Sequence, residues 1–266
     1  MNRNHRAIIL VLAIAAFLLI SCSQDLPPQP VKPTLTRPDE AFLKYGEDHT
    51  SIVEMNKINN SVWTHTTYRD YRGSLEPSNG LVVLTDEGLV LIDTPWTDKQ
   101  MESLDKLCKE SFNIGFTEAI VTHAHEDRMG GGNYLKENNI KITSLKRVSD
   151  KATKLGFVVP DNILEGDEAV VTIDDTDFEI FFPGEGHTDD NTVVWIKRYE
   201  LLFAGCIVKG QGVTSLENIG DANLKEWPNA LNKLLGRYED IAIVVPGHGQ
   251  WGDKTLIEYT LGLFEE

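Results

Sequence analysis

Residues 121–132 read VTHAHEDRMGGG and are the most informative stretch of this 266-residue chain. His123, His125 and Asp127 occupy alternate positions directly after an apolar run. Imidazole and carboxylate groups are zinc ligands, and alternate residues of an extended chain point to the same side. The glycines that follow allow a tight turn into a helix. Taken alone, however, the stretch is equally compatible with a polar strand end that carries two solvated histidines.

Three more candidate zinc ligands follow apolar, strand-forming runs later in the chain: His187, Cys206 and His248. Four of the seven histidines therefore lie in loops at predicted strand ends, which chance clustering explains poorly. Strands and helices alternate along the chain, with the candidate ligands at one set of strand ends. This arrangement predicts a core of two packed sheets with helices on the outside.

Apolar periodicity predicts the individual elements. Strands are expected at 51–58, 61–67, 80–84, 89–92, 117–122, 141–145, 168–173, 178–182, 192–196, 201–205 and 241–245. Helices are expected after residues 97, 132, 148, 223 and 253. The polar segment 68–77 is either a loop that folds over a substrate or a plain surface hairpin. Asp93 ends a buried strand and either supports the site or caps the next turn, and we favour the first interpretation.

Composition restricts the possible partners and cross-links. The formal net charge is −16, and such an acidic chain repels phosphate backbones, which argues against a nucleic-acid partner. Three cysteines are too few for a disulfide framework, so each is interpreted singly. Cys108 falls on the apolar stripe of the helix after Thr97 and is expected to pack in the core.

The N-terminus has the pattern of a bacterial lipoprotein signal peptide. A short basic segment precedes residues 7–20, which are continuously apolar but too short for a comfortable membrane span. Leu-Ile-Ser-Cys at 19–22 then resembles the lipobox, at which the chain is cleaved before a cysteine that becomes lipidated. The alternatives are an ordinary signal peptide or an uncleaved anchor, with Cys22 incidental.

The lipobox interpretation predicts the domain organisation and the location of the protein. Residues 1–21 would be removed, and the proline-rich segment 22–42 would tether the domain 43–266 to the lipid on Cys22. Ser23 follows the cysteine and favours the outer membrane. We therefore expect a periplasmic lipoprotein.

Five motifs together resemble the metallo-β-lactamases, in the subclass with one three-histidine site and one Asp-Cys-His site. They are HAHEDR (123–128), GHT (186–188), GCIVK (205–209), NIGDA (218–222) and GH (247–248). The similarity extends from about residue 52 to the C-terminus. Many other hydrolases of the superfamily carry Asp-His where this chain has Asp127-Arg128, and a bridging aspartate at Cys206. The resemblance implies an α+β fold, a four-layer αββα sandwich with the zinc site between its two sheets.

The resemblance also implies two zinc ions per chain, each held by three residues. The first site would comprise His123, His125 and His187, and the second Asp127, Cys206 and His248. Three protein ligands per ion leave positions for water and substrate, as a catalytic site requires.

Three residues have implied roles toward the substrate. Asp127 would orient the attacking hydroxide, and the Asn218 amide would polarise the carbonyl and stabilise the oxyanion. Lys209 would pair with the carboxylate that β-lactams carry. From the residues alone, Asn218 is also compatible with an ordinary turn, and Lys209 with a solvated lysine at a strand end.

The implied activity is zinc-dependent hydrolysis of the β-lactam amide bond of penicillins, cephalosporins and carbapenems, which confers antibiotic resistance. We expect a monomer that acts on a small-molecule β-lactam and touches the membrane only through the lipid on Cys22. Two alternatives remain: another hydrolase of this fold, acting on esters, thioesters or phosphodiesters, and a non-catalytic zinc-binding lipoprotein. Glu126 and Glu217 either weaken the binding of anionic substrates or face solvent, and the charged segment 68–73 leaves the substrate range open.

Overall fold

The structure is a computed structural model that describes residues 38–71 and 73–264. The predicted signal peptide, the lipobox with Cys22 and the tether as far as residue 37 lie outside the described residues. Within the described ranges, no helix combines the length and the hydropathy needed to cross a membrane.

Thirteen strands in the described part of the chain form two sheets. The first sheet has eight strands, side by side in sequence order: β1 (Phe42–Tyr45), β2 (Val53–Lys57), β3 (Val62–Tyr71), β4 (Ser74–Leu84), β5 (Leu89–Ile92), β6 (Phe116–Ile120), β7 (Lys141–Leu145) and β8 (Asn162–Leu164). The second sheet has five strands, which lie side by side in the order β13 (Ile243–Pro246), β12 (Leu201–Gly205), β11 (Val193–Ile196), β10 (Thr176–Phe181) and β9 (Glu168–Ile173).

Helices cover the outer face of each sheet. They are α1 (Asp98–Phe112), α2 (Glu126–Met129), α3 (Gly132–Glu137), α4 (Lys146–Leu155), α5 (Trp227–Arg237) and α6 (Thr255–Gly262), with a 3₁₀ turn at Lys197–Tyr199. Buried side chains form three clusters, the first of which joins α1, α3 and α4 to the first sheet. The second lies between the two sheets, and the third joins the second sheet to α5 and α6. Three cores separate four layers, so the predicted αββα sandwich is confirmed.

Helix α1 shows how local sequence produces these elements. The Thr97 hydroxyl caps its first turn by accepting a hydrogen bond from the backbone N–H of Gln100 at 3.2 Å. The helix ends at Asn113, whose left-handed backbone (φ 55°) stops the hydrogen-bond ladder. Cys108 lies on the buried face, with its sulfur 3.9 Å from that of Met55. The prediction that Cys108 packs in the core is confirmed.

Strand pairing brings the candidate ligands to one edge of the sandwich. β12 and β13 run parallel, so Cys206, directly after β12, and His248, two residues after β13, emerge at the same end. The two sheets meet at this edge, because the backbone N–H of Thr192 donates to the carbonyl of Thr122 at 2.9 Å. Residues that are distant in sequence therefore converge at one place.

The segment 68–77 is the largest departure from the predicted elements. β3 and β4 remain paired in register as far as Tyr71 opposite Ser74, so the segment is an extended hairpin. Polar composition and a glycine suggested a loop, but paired strand ends satisfy their own backbone hydrogen bonds without apolar side chains. The structure thus shows a hairpin in place of an open loop, and its folding over a substrate stays a prediction.

The glycines after α2 are required for space and not for an unusual turn. Gly130 and Gly131 have φ values of −64° and −90°, which any residue adopts. A Cβ at Gly130 would collide with the carbonyl oxygen of Trp96, and one at Gly131 would lie 2.8 Å from Cβ of Met101. These close approaches let the turn between α2 and α3 pack against Trp96 and helix α1.

Candidate active site

A three-histidine group lies beyond the end of β6. His123 and His125 come from the extended segment before α2, and His187 comes from the loop before β11. The three rings pack edge to face, with centroids 4.9 to 5.2 Å apart. His125 Nδ1 and His187 Nε2 are 3.3 Å apart, and His123 Nε2 is buried without a hydrogen-bond partner in the described structure. One nitrogen of each ring lies within 4.8 Å of the other two.

A second group consists of Asp127, Cys206 and His248. Asp127 lies in the first turn of α2, and the other two residues follow β12 and β13. The Cys206 sulfur is 3.5 Å from Asp127 Oδ2 and 3.4 Å from His248 Nε2. The third side of this triangle, between His248 Nε2 and Asp127 Oδ2, is 3.2 Å.

Both groups fit zinc in donor chemistry and in spacing. Two nitrogen or oxygen ligands of a tetrahedral zinc lie about 3.3 Å apart, and a sulfur ligand widens that separation to about 3.6 Å. All three separations in the second group, 3.2 to 3.5 Å, match these values, as does the 3.3 Å between His125 and His187 in the first group, whose three nitrogens all lie within 4.8 Å of one another. The buried, unpartnered Nε2 of His123 is a further sign that a cation belongs there. The structure thus brings together each predicted set of three, and their roles as ligands remain a prediction.

Arg128 holds the second group from behind. Its guanidinium is fully buried and reaches Asp127 Oδ2 at 2.7 Å and the Cys206 sulfur at 3.0 Å. It also lies 3.4 Å from Asp93 Oδ2 and 3.0 Å from the carbonyl of Gly247. Arg128 therefore orients two of the three donors and partly neutralises them. The sequence identified Arg128 only as a family marker, without this role.

Burial and neighbouring charges shift the pKa values of the donors. Burial alone raises the pKa of the Asp127 carboxyl, but the Arg128 guanidinium and His248 outweigh it and hold that pKa well below its usual range. Burial lowers the pKa values of His123 and His187 well below their usual range, and neighbouring cationic groups add to the effect. At neutral pH these groups are a carboxylate and neutral imidazoles, which are the forms that bind metal.

Asp93 supports the site, as we favoured from the sequence. It is fully buried in a left-handed conformation (φ 59°) and accepts two hydrogen bonds of 2.7 Å from Thr122, one from the backbone N–H and one from the hydroxyl. Burial raises the pKa of its carboxyl to about 7, against the lowering effects of Arg128 and Thr122. Asp93 thereby fixes the backbone that carries His123.

Two further acids position the histidines and were assigned no role from the sequence. Asp190 Oδ2 accepts a hydrogen bond of 2.8 Å from the backbone N–H of Ala124, between His123 and His125. Asp221 Oδ2 lies 2.8 Å from His125 Nε2, which leaves Nδ1 of that ring toward His187. Asp221 belongs to the NIGDA motif, so its position in that motif was the signal that could have identified it.

The two predicted substrate residues are placed differently. Lys209 lies near the three-histidine group: its Nζ is 5.7 Å from the centroid of the Trp227 ring, and the His187 ring is 5.8 Å from the same ring. The Lys209 side chain is 3% exposed, and Nζ is 3.3 Å from Glu217 Oε2. Asn218 is exposed, and its side-chain oxygen accepts a hydrogen bond of 3.3 Å from the backbone N–H of Gly220. This hydrogen bond is the one expected of an ordinary turn residue. The role of the Asn218 amide in stabilising an oxyanion remains a prediction.

Glu126 pairs with the β3–β4 hairpin. Its carboxylate forms an ion pair with Arg69, whose guanidinium lies 5.5 Å from the centroid of the Trp96 ring. The charged hairpin is thereby attached to the start of α2, beside the ligand residues. From the sequence, Glu126 and Glu217 could have faced solvent without a partner. In the structure each forms an ion pair, Glu126 with Arg69 and Glu217 with Lys209.

Comparison with known proteins agrees with this site. A family model described as the metallo-beta-lactamase superfamily matches residues 73–248. A metallo-beta-lactamase type 2 of Bacillus sp. (strain 170) is 40% identical over 222 residues, which cover 82% of this chain and 85% of that protein. A protein of the same name from Bacteroides fragilis is 32% identical over 209 residues, covering 78% of this chain and 84% of that protein.

Solved structures show the same relationship. A metallo-beta-lactamase from Pontibacter korlensis superposes with a TM-score of 0.78 and 36% sequence identity, covering 80% of this chain and 99% of that chain. The matched region includes all six candidate ligands, the αββα sandwich is shared, and the resemblance inferred from the motifs is confirmed. This chain therefore belongs to the metallo-β-lactamase superfamily.

Proposed function

We propose that this protein is a zinc-dependent hydrolase of the β-lactam amide bond, acting on penicillins, cephalosporins and carbapenems. The proposal rests on complete three-histidine and Asp-Cys-His groups with a buried lysine, Lys209, that contacts the same tryptophan ring as His187. The curated relatives named above are metallo-β-lactamases, which supports the same activity for this chain.

The six donors would hold two zinc ions, one in each group. When bound, zinc supplies Lewis-acid chemistry: it polarises a carbonyl oxygen and makes water a nucleophile at neutral pH. With a metal bound, Cys206 would ligate as a thiolate and Asp127 as a carboxylate, so the second group would supply softer and more negative ligands than the three imidazoles of the first.

The residues of the chain would divide the hydrolysis between them. The ionised carboxylate of Asp127 accepts a hydrogen bond from the attacking water and orients its oxygen toward the lactam carbonyl carbon. The C–O bond forms as the C–N bond breaks, and the ring nitrogen takes up a proton that originates from the water. The Asn218 amide donates to the carbonyl oxygen as negative charge develops on it. The product is a ring-opened amino acid.

Hydrolysis of a cephalosporin and a carbapenem by the full-length protein, followed by absorbance, tests this proposal. We expect turnover that a chelator abolishes and added zinc restores, because the proposed hydrolysis needs the Lewis acid that the six donors would bind. The control is the same chelator treatment followed by magnesium, which prefers oxygen ligands and should restore nothing.

The same assay separates the alternatives. Zinc uptake without turnover of any β-lactam would contradict the proposal and favour a zinc-binding lipoprotein. Turnover of a neutral ester or thioester, with none of a β-lactam, would assign the chain to the other hydrolases of this fold.

We also propose that the protein is a lipoprotein anchored to the outer membrane on its periplasmic side, because residues 19–22 read LISC after a short apolar segment. Cys22→Ser in the full-length protein is expected to move it from the membrane fraction to the soluble periplasmic fraction. Cys108→Ser serves as the control and should leave the protein with the membrane. A wild-type protein that is soluble after cell fractionation would refute the anchor.

A further inference from the structure

Lys209 has an acidic partner from its own chain. Glu217 Oε2 lies 3.3 Å from Lys209 Nζ, and the lysine also lies 5.7 Å from the centroid of the Trp227 ring. A buried ammonium group requires a counter-charge, and Glu217 supplies it. The position expected to receive a substrate carboxylate is thus already occupied by a carboxylate of the protein.

The two partners differ in their access to water. The Lys209 side chain is 3% exposed, whereas that of Glu217 is 40% exposed. The Lys209 side chain is enclosed by the protein and stays in place. The Glu217 side chain can rotate into water, where its carboxylate is fully hydrated. An incoming carboxylate can therefore replace Glu217 at Lys209, and the exchange conserves the charge balance around the lysine.

The backbone at Glu217 indicates that this contact is held by the surrounding loop. Glu217 has a φ of 58°, in the left-handed region that a side chain with a Cβ rarely adopts. It lies between β12 and α5, in the stretch 206–226, which contains neither strand nor helix. Four residues further on, Asp221 is attached to His125. Contacts therefore hold the loop on both sides of Asn218. Glu217, the residue with the strained backbone, is the one that pairs with Lys209.

We propose that Glu217 is a specificity-determining residue that competes with the substrate carboxylate for Lys209. This inference rests on the proposed function, because it assumes that Lys209 receives that carboxylate. Every carboxylated β-lactam must displace Glu217 before it binds, so the chain binds such substrates more weakly than its lysine alone would allow. A neutral ester of the same lactam has no carboxylate to place there, and Glu217 does not oppose its binding in this way.

Glu217→Gln in the zinc-loaded enzyme tests the competition, with a cephalosporin and its methyl ester as the two substrates. We expect KM for the acid to fall about five-fold with kcat unchanged, because the competitor acts on ground state and transition state alike. KM for the ester should stay within about two-fold of the wild type. The affinity of the hydrolysed cephalosporin acid, measured by calorimetry, should rise by the same factor and requires no turnover.

Three further variants separate the competition from other effects. Glu226→Gln removes one negative charge from an exposed glutamate of the same loop that bonds Asn229, and it should change neither KM. Glu217→Gly removes both the charge and the backbone strain, and it should behave as Glu217→Gln does. In a Lys209→Ala background, Glu217→Gln should no longer lower KM for the acid, because the ammonium group for which the two carboxylates compete is absent.

The outcomes are distinct. An unchanged KM for the acid, or an equal fall for acid and ester, would overturn the role of Glu217. An effect of Glu217→Gly without one of Glu217→Gln would also overturn it, because backbone strain would then be the cause. A wild-type enzyme that hydrolyses neither substrate would refute the proposed function instead, and the calorimetric titration would still decide whether Glu217 opposes carboxylate binding.

Discussion

Cys206→Ser is expected to lower kcat/KM for a cephalosporin at least about 100-fold, since loss of a residue that merely orients a metal ligand already costs 10- to 100-fold. The substitution replaces a thiolate donor by a hydroxyl that stays protonated and is a poor zinc ligand. It is nearly isosteric, and the hydroxyl oxygen can still accept the hydrogen bond that Arg128 now donates to the sulfur at 3.0 Å. The fold should therefore survive, and zinc content should fall from about two ions to about one.

Cys108→Ser is the matched control for this result. Cys108 is the other cysteine in the described part of the chain, is also buried, and lies in the core beside Met55, away from the six donors. It should lose some stability through burial of a hydroxyl, but it should keep its activity per folded molecule and its zinc. Turnover near the wild-type level in Cys206→Ser would contradict the mechanism.

Arg128→Met is expected to lower the free energy of unfolding of the zinc-free protein by about 3–5 kcal/mol, the usual cost of removing one partner of a buried ion pair. Arg128 is 0% exposed, and its loss would leave the buried carboxylate of Asp127 without its guanidinium partner. The variant keeps a similar side-chain volume, so a cavity contributes little. Urea denaturation followed by circular dichroism measures the change.

Arg237→Met provides the comparison. Arg237 also contacts two carboxylates, those of Glu168 at 2.7 Å and Glu179 at 2.9 Å, but it is 37% exposed. Solvent screens such contacts, so the expected loss is about 1 kcal/mol or less. Equal losses in the two variants would show that Arg128 is not the structural cation of the site. Added zinc should recover part of the loss in Arg128→Met only, because the metal supplies positive charge to Asp127.

The candidate ligands could be identified from the sequence because both their chemistry and their position are local properties. Each of the loops that carry His123, His187, Cys206 and His248 adjoins a buried strand, and the structure confirms that these strand ends meet at one edge of the sandwich. Apolar runs of four to six residues predict such strands well, because burial leaves few alternatives. The αββα layering followed from the same pattern and is confirmed.

The hairpin at 68–77 could not be recognised in the same way. Its side chains are polar on both faces, so the period of two that marks a half-buried strand is absent. Pairing of its backbone is visible only once β3 and β4 are aligned, down to Tyr71 opposite Ser74. The function of the glycines after α2 was also hidden, because close contact with Trp96 is a property of two segments and not of one.

Residue type and strand-end position in the sequence identified the six candidate donors, and the motifs, through their resemblance to the metallo-β-lactamases, implied the family, the fold and the division of the donors into two groups of three. Only the tertiary structure decided which charges meet. It showed that the Arg128 guanidinium contacts Asp93, Asp127 and Cys206, and that Glu217 forms an ion pair with Lys209. Such contacts depend on side-chain directions and on separations of about 3 Å. Spacing along the chain does not encode those distances, since the loops that create them have no regular period.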